Sequence, residues 1–114
     1  MALSPDGKTI AVMGIVSVST YDFNSLKEIW TSLRFNIGTL LFGVDWSPDG
    51  KYLVVSTAQK ADNALLVLDA RTGEELHRFT GHYDVVGKVS WSPRGDLIAS
   101  CSPDGTVIIW RMGQ

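Results

Sequence analysis

A chain of 114 residues, 45% hydrophobic and 19% charged, is one domain's worth of polypeptide with enough apolar side chains to bury a core. Ten Lys and Arg against twelve Asp and Glu leave a formal charge of −2, which gives no electrostatic footprint for nucleic acid. The single cysteine, Cys101, excludes an internal disulfide and a cysteine-based zinc framework. No apolar run approaches the roughly 18 to 20 residues that span a bilayer, and the opening Met1-Ala2-Leu3-Ser4-Pro5-Asp6 breaks at once into a polar turn. The expectation is a soluble, cytoplasmic protein with neither a nucleic-acid nor a membrane partner.

In chain order, a turn phrase recurs. Ser4-Pro5-Asp6-Gly7-Lys8 returns as Ser47-Pro48-Asp49-Gly50-Lys51 and, altered, as Ser92-Pro93-Arg94-Gly95-Asp96. Proline sets φ for the second position of a β-turn, Asp supports the next through a local hydrogen bond, and Gly takes the position with φ > 0. Apolar residues at period two flank each copy, so each reads as a tight hairpin. A second landmark follows at Val18-Ser19-Thr20-Tyr21-Asp22, Leu65-Leu66-Val67-Leu68-Asp69 and Val107-Ile108-Ile109-Trp110-Arg111. After the first two of these, Asp22 to Ile29 and Asp69 to Leu76 align without a gap, which marks another turn and a fourth strand.

The repeat is therefore four short strands, a to d, in about 40 to 45 residues, the length of one propeller blade. The pattern predicts b, c and d at 8–13, 16–22 and 27–33 in the first unit. It predicts a to d at 41–46, 51–57, 64–70 and 74–80 in the second, and a to c at 86–91, 96–101 and 106–111 in the third. Nothing carries a 3.6-residue apolar period, so essentially no helix is expected.

The third unit resembles a blade of the WD-repeat β-propeller family. Gly81-His82 precedes its strand a, Ser100 ends strand b, Asp104-Gly105-Thr106 forms the b–c turn, and Trp110 ends strand c. The resemblance implies a structural tetrad of His82, Ser100, Asp104 and Trp110 that ties the strands together. Arg111 stands where the family has Asp. The second unit keeps Ser56 and Asp69 but has Leu68 for Trp, and the first keeps only Tyr21-Asp22. The turn phrase resembles that of prokaryotic members, which implies a bacterial source.

Propellers close with 4–8 blades, whereas this chain reads as a single incomplete arc: a blade remnant at 1–33, a blade at 34–80, and a blade at 81–114 lacking its last strand. An open arc exposes two faces that need neighbours. Either the remaining blades of a longer chain or other copies are needed to close the ring.

The resemblance also implies a non-catalytic scaffold that binds a protein or peptide on the loops of one rim. Candidate binding residues there are Arg34, Phe35, Lys60, Tyr83 and Asp84. The alternatives are a propeller attached to or gating a hydrolase or peptidase, and a self-assembling ring. No nucleophile elbow, phosphate loop or zinc-helix motif occurs, and no cofactor is expected. His77 reads as a solvent-leaning strand residue and Cys101 as a buried small hydrophobe. Trp46 and Trp91 read as packing residues between blades. Asp22-Phe23-Asn24 lacks the Gly and Glu of a calcium loop, so no metal is expected.

Overall fold

A computed structural model of the chain describes residues 2–13, 18–32, 40–58, 64–80 and 86–111. The described residues hold eleven strands and no helix. The strands are β1 (Ala2–Leu3), β2 (Thr9–Met13), β3 (Val18–Asp22), β4 (Glu28–Ser32), β5 (Leu40–Trp46), β6 (Tyr52–Ala58), β7 (Ala64–Asp69), β8 (Glu75–Thr80), β9 (Lys88–Trp91), β10 (Leu97–Cys101) and β11 (Val107–Arg111). They form three antiparallel sheets in sequence order: β1 to β4, β5 to β8, and β9 to β11. The predicted strands agree with these to within two residues wherever the chain is described.

The a–b turns have the geometry their residues call for. In the second, the Gly50 amide donates to the Ser47 carbonyl at 2.9 Å. The Ser47 hydroxyl donates to Asp49 Oδ1 at 2.6 Å and accepts from the Tyr52 amide at 3.0 Å. Ser4 and Asp6 repeat this arrangement in the first turn. These bonds hold the Asp49 and Asp6 carboxyls below the ordinary value of 3.8, the serine hydroxyl being the main cause in each. The turns also touch one another: Gly50 faces Pro5, and Gly95 faces Pro48, across successive sheets.

The sheets stack face to face and make two cores. Between the first and second lie Ala11 and Val18 against Trp46, Leu53, Val55, Leu66 and Leu68. Between the second and third lie Val54, Leu65 and Val67 against Val86, Trp91 and Ile98. The middle sheet is covered on both sides, so Leu53 to Val55 on β6 and Ala64 to Leu68 on β7 are apolar without alternation. Trp46 and Trp91 are buried in these junctions, as their place in the repeat implies, and His77 is exposed.

Two details depart from the sequence reading. Cys101 is exposed, not buried. It shares a face with Leu97 and Ala99, while Ile98 and Ser100 point into the core, and no described residue covers that outer face. Ser56 is not the counterpart of Ser100. In the ladders Ser100 lies between Val89 and Ile108, as Val55 lies between Val44 and Leu66. Ser56 instead matches Cys101, because a one-residue step along a strand changes the face.

Candidate protein-binding face

The a–b and c–d turns lie at one end of the sheets, and the b–c and d–a connections at the other. Arg34, Phe35, Lys60, Tyr83 and Asp84 all belong to connections at that second end and lie outside the described residues, as does His82. The strands that root those connections are described, and they converge. Leu40, which follows the first d–a connection, pairs with Ala58. The b–c connection containing Lys60 leaves the sheet directly after Ala58 and returns at Ala64. The second d–a connection returns at Val86, whose amide donates to the Thr57 carbonyl at 3.4 Å.

Thr57 fixes this junction. Its buried hydroxyl donates to the Ala64 carbonyl at 2.9 Å and accepts from the Ala64 amide at 3.1 Å. That pair pins the neck of the Lys60 connection to a fixed width, with every group satisfied as a buried hydroxyl requires. Next to it, the Gly87 amide donates to the Cys101 carbonyl at 2.9 Å, tying the Tyr83 connection to the third sheet. Three connections carrying all five candidate residues thus root on one two-residue segment, Thr57-Ala58. Sequence reading missed Thr57, and its only signal was a hydroxyl at the end of an apolar strand.

The third sheet carries the described part of the expected tetrad. The Trp110 indole Nε1 donates to Ser100 Oγ at 2.7 Å, bridging β11 and β10 on the face turned to the middle sheet. Asp104 accepts the Thr106 amide at 2.8 Å and also the Thr106 hydroxyl, closing the b–c turn. The second sheet has Val55 and Leu68 at the places of Ser100 and Trp110, so an apolar contact stands there for the indole bond. Phe79 packs on Trp110 with ring centroids 5.4 Å apart, joining that pair to the second core.

Three polar side chains, those of Trp46, Trp30 and Asp45, bond between sheets. Trp46 Nε1 donates to the Ala2 carbonyl at 2.9 Å, and Trp30 Nε1 to the Ala70 carbonyl at 2.8 Å. Asp45, the acidic residue on a described strand a, accepts the Trp91 amide at 2.8 Å through Oδ2. A shallow cleft between the first two a–b turns is lined by Asp6, Trp46 and Asp49, but both carboxylates are engaged by their own turns. Among the described residues no three His, Cys, Asp or Glu side chains gather as metal ligands, and no helix is long and apolar enough to cross a membrane.

Stacked antiparallel sheets of four, four and three strands, the first two joined by indole bonds and the second and third by the Asp45 carboxylate, define a repeat protein of the β-propeller class. Residues 73–111 match the family described as "WD domain, G-beta repeat". The rat "Serine-threonine kinase receptor-associated protein" is 30% identical over 97% of this chain and 30% of its own length. The rice "Chromatin assembly factor 1 subunit FAS2 homolog" is 38% identical over 96% of this chain and 22% of its own. A chain in the "Crystal Structure of Mitotic Checkpoint Complex" superposes with a TM-score of 0.83 at 18% identity, covering 99% of this chain and 36% of that one, a likeness of fold. The chain belongs to the WD-repeat β-propeller family. It spans less than a third of the curated relatives it matches, and those two are eukaryotic rather than bacterial.

Proposed function

We propose that the chain is a non-catalytic interaction module, a propeller segment of a larger protein or assembly whose loop rim binds a protein or peptide. The observation that carries this reading is the convergence of three connections on Thr57-Ala58. Arg34, Phe35, Lys60, Tyr83 and Asp84 belong in sequence to those three connections, and such aromatic and charged side chains on a fixed scaffold are the usual anchors of an interface. The tetrad of His82, Ser100, Asp104 and Trp110 belongs to the same reading as a structural brace, with Trp110 and Ser100 as its bonded half. The single-domain arc, from a first partial blade through a third ending at strand c, is part of it as well, as is a cytoplasmic setting, in which an exposed free thiol such as Cys101 stays reduced.

An enzymatic reading finds less support: Asp45, the carboxylate on a described strand a, is spent on a backbone amide. The test is selection of peptides from a displayed random library against the immobilised chain, followed by titration of the selected peptide. Combined Phe35→Ala and Tyr83→Ala substitution is expected to weaken binding by about tenfold or more, the loss of roughly 1.4 kcal/mol or more. Arg94→Ala, in an a–b turn at the opposite end, is expected to leave it unchanged. Equal loss from both, or no peptide recovered, overturns the proposal.

A further inference from the structure

The two sheet junctions differ at one repeated place. Trp46 ends strand a at the first junction and Trp91 ends it at the second, and both are buried. The residue that opens the facing strand b is Thr9 in the first sheet and Tyr52 in the second. They hold the same register place, opposite Asp22 and Asp69. At the second junction the Tyr52 ring stacks beside Trp91, with centroids 6.3 Å apart and planes inclined by 21°. At the first junction Thr9 brings no ring, and the room beside Trp46 stays open.

That room consists of two adjoining clefts of about 360 and 430 Å³, which share Asp6, Thr9, Trp46 and Gly50. Volumes of this order lie within the range of ligand pockets, roughly 300–1,000 Å³. Both sheets that wall the clefts are described, so the clefts do not depend on the outer face of the first or third sheet. They lie at the a–b turn end, away from the rim connections.

The walls differ in charge. Asp6 and Asp49 stand on one side, held ionised by their own turns. The larger cleft reaches Ile29, Ala70 and Arg71. Ile29 is half exposed, and the Arg71 guanidinium has neither an ion pair nor a hydrogen bond among the described residues. Trp46 has already given its indole N–H to the Ala2 carbonyl, so it offers ring surface and no donor. Apolar surface between an unpaired guanidinium and two carboxylates selects a flat apolar group with negative charge on one side only.

We infer that this cleft binds a partner peptide, seating an aromatic side chain beside Trp46, in the place that Tyr52 takes at the next junction, and a neighbouring carboxylate on Arg71. Tyr52 shows the shape that fits, and the planar fork of arginine suits a carboxylate. Repulsion by Asp6 and Asp49 sets the direction, with the acidic residue toward Arg71. The site is separate from the loop rim and stands or falls without it.

The experiment is titration of the isotope-labelled chain with acetyl-Asp-Phe-Asp-amide, followed at the Trp46 indole Nε1 resonance, which is assigned by its loss in Trp46→Phe. That resonance is expected to shift in a saturable way at peptide concentrations up to about 10 mM. Acetyl-Asp-Ala-Asp-amide, without the ring, and acetyl-Lys-Phe-Lys-amide, with the charge reversed, are expected to bind about tenfold more weakly. Thr9→Tyr, which supplies from within the chain the ring that Tyr52 supplies at the next junction, is expected to abolish the shift. Arg71→Ala is expected to weaken binding about three- to tenfold and to reduce the preference over the lysine peptide. Arg71 is exposed, so this variant decides should Thr9→Tyr fail to fold. No saturable shift, equal binding of the three peptides, or a shift that survives either variant unchanged overturns the inference. Combined Phe35→Ala and Tyr83→Ala is expected to leave this binding unchanged; its loss there would put the peptide on the rim and overturn the cleft site.

Discussion

The two c–d turns share a backbone and differ in what they are for. In both, an amide four residues on donates to the Asp carbonyl: Leu26 to Asp22 and Gly73 to Asp69, each at 2.8 Å. In both, the fifth residue has positive φ, +59° for Leu26 and +78° for Gly73. Gly73 is buried, and a Cβ there would sit 2.6 Å from the Trp30 ring, so only glycine fits. Leu26 is 70% exposed and adopts the same left-handed conformation with a full side chain. The lesson is that hydrogen bonding alone forms the turn, while the neighbouring sheet decides which residue it tolerates.

The largest expected effect comes from erasing that difference. Gly73→Leu places a side chain in the Trp30 site and a non-glycine residue at positive φ. Together these are expected to lower stability by about 3–5 kcal/mol in urea unfolding. In a Trp30→Ala background the same change is expected to cost about 1–3 kcal/mol less, since the clash is gone and only the backbone term remains. Additive losses would mean that the ring and the turn are not in contact.

The reverse substitution is gentler. Leu26→Gly relieves the left-handed strain but adds freedom to the unfolded chain, so a gain of about 0.5–1 kcal/mol is expected. A loss of stability would show that Leu26 makes contacts within the single chain that outweigh its strain.

The smallest effect is electrostatic. The Ser25 amide is the main cause that holds the Asp22 carboxyl below its ordinary 3.8, with the Asn24 amide adding to it. A depressed acid contributes stability that is complete above 3.8 and is lost as pH falls through its lower folded value. Asp22→Asn is therefore expected to flatten the acid limb of the stability curve below that pH. Asp6 and Asp49 act in the same direction, so the slope should shrink and not vanish. An unchanged limb would show that the Asp22 bonds do not persist in solution.

Much of this fold was legible because the repeat itself is written in turn residues. Ser-Pro-Asp-Gly fixed the hairpins, and period-two apolar residues placed each strand within two positions. Trp46 and Trp91 were readable as packing residues because they keep the same place before the turn. What failed did so for reasons of face and neighbour. Cys101 has the surroundings in sequence of a buried strand residue, yet whether its face is covered depends on a sheet that no local pattern names. Ser56 looked like the partner of Ser100 because spacing across a loop cannot settle a one-residue register. Thr57 was invisible as the root of three connections, since its two bonds reach Ala64 across a segment of variable length. The Trp30 hollow needed two turns to be compared in space before Gly73 and Leu26 meant anything.

The sheet-to-sheet bonds have one further property. Trp30 reaches Ala70, Trp46 reaches Ala2 and Asp45 reaches Trp91 across 40, 44 and 46 residues, about one repeat in each case. None of these bonds skips a neighbour. Stability in such an array is a sum of unit and nearest-neighbour terms, so whole repeats can be duplicated or deleted without breaking a long-range tie. The same property sets an order of opening: amides of the middle sheet, held from both sides, exchange last, and those of the outer sheets first.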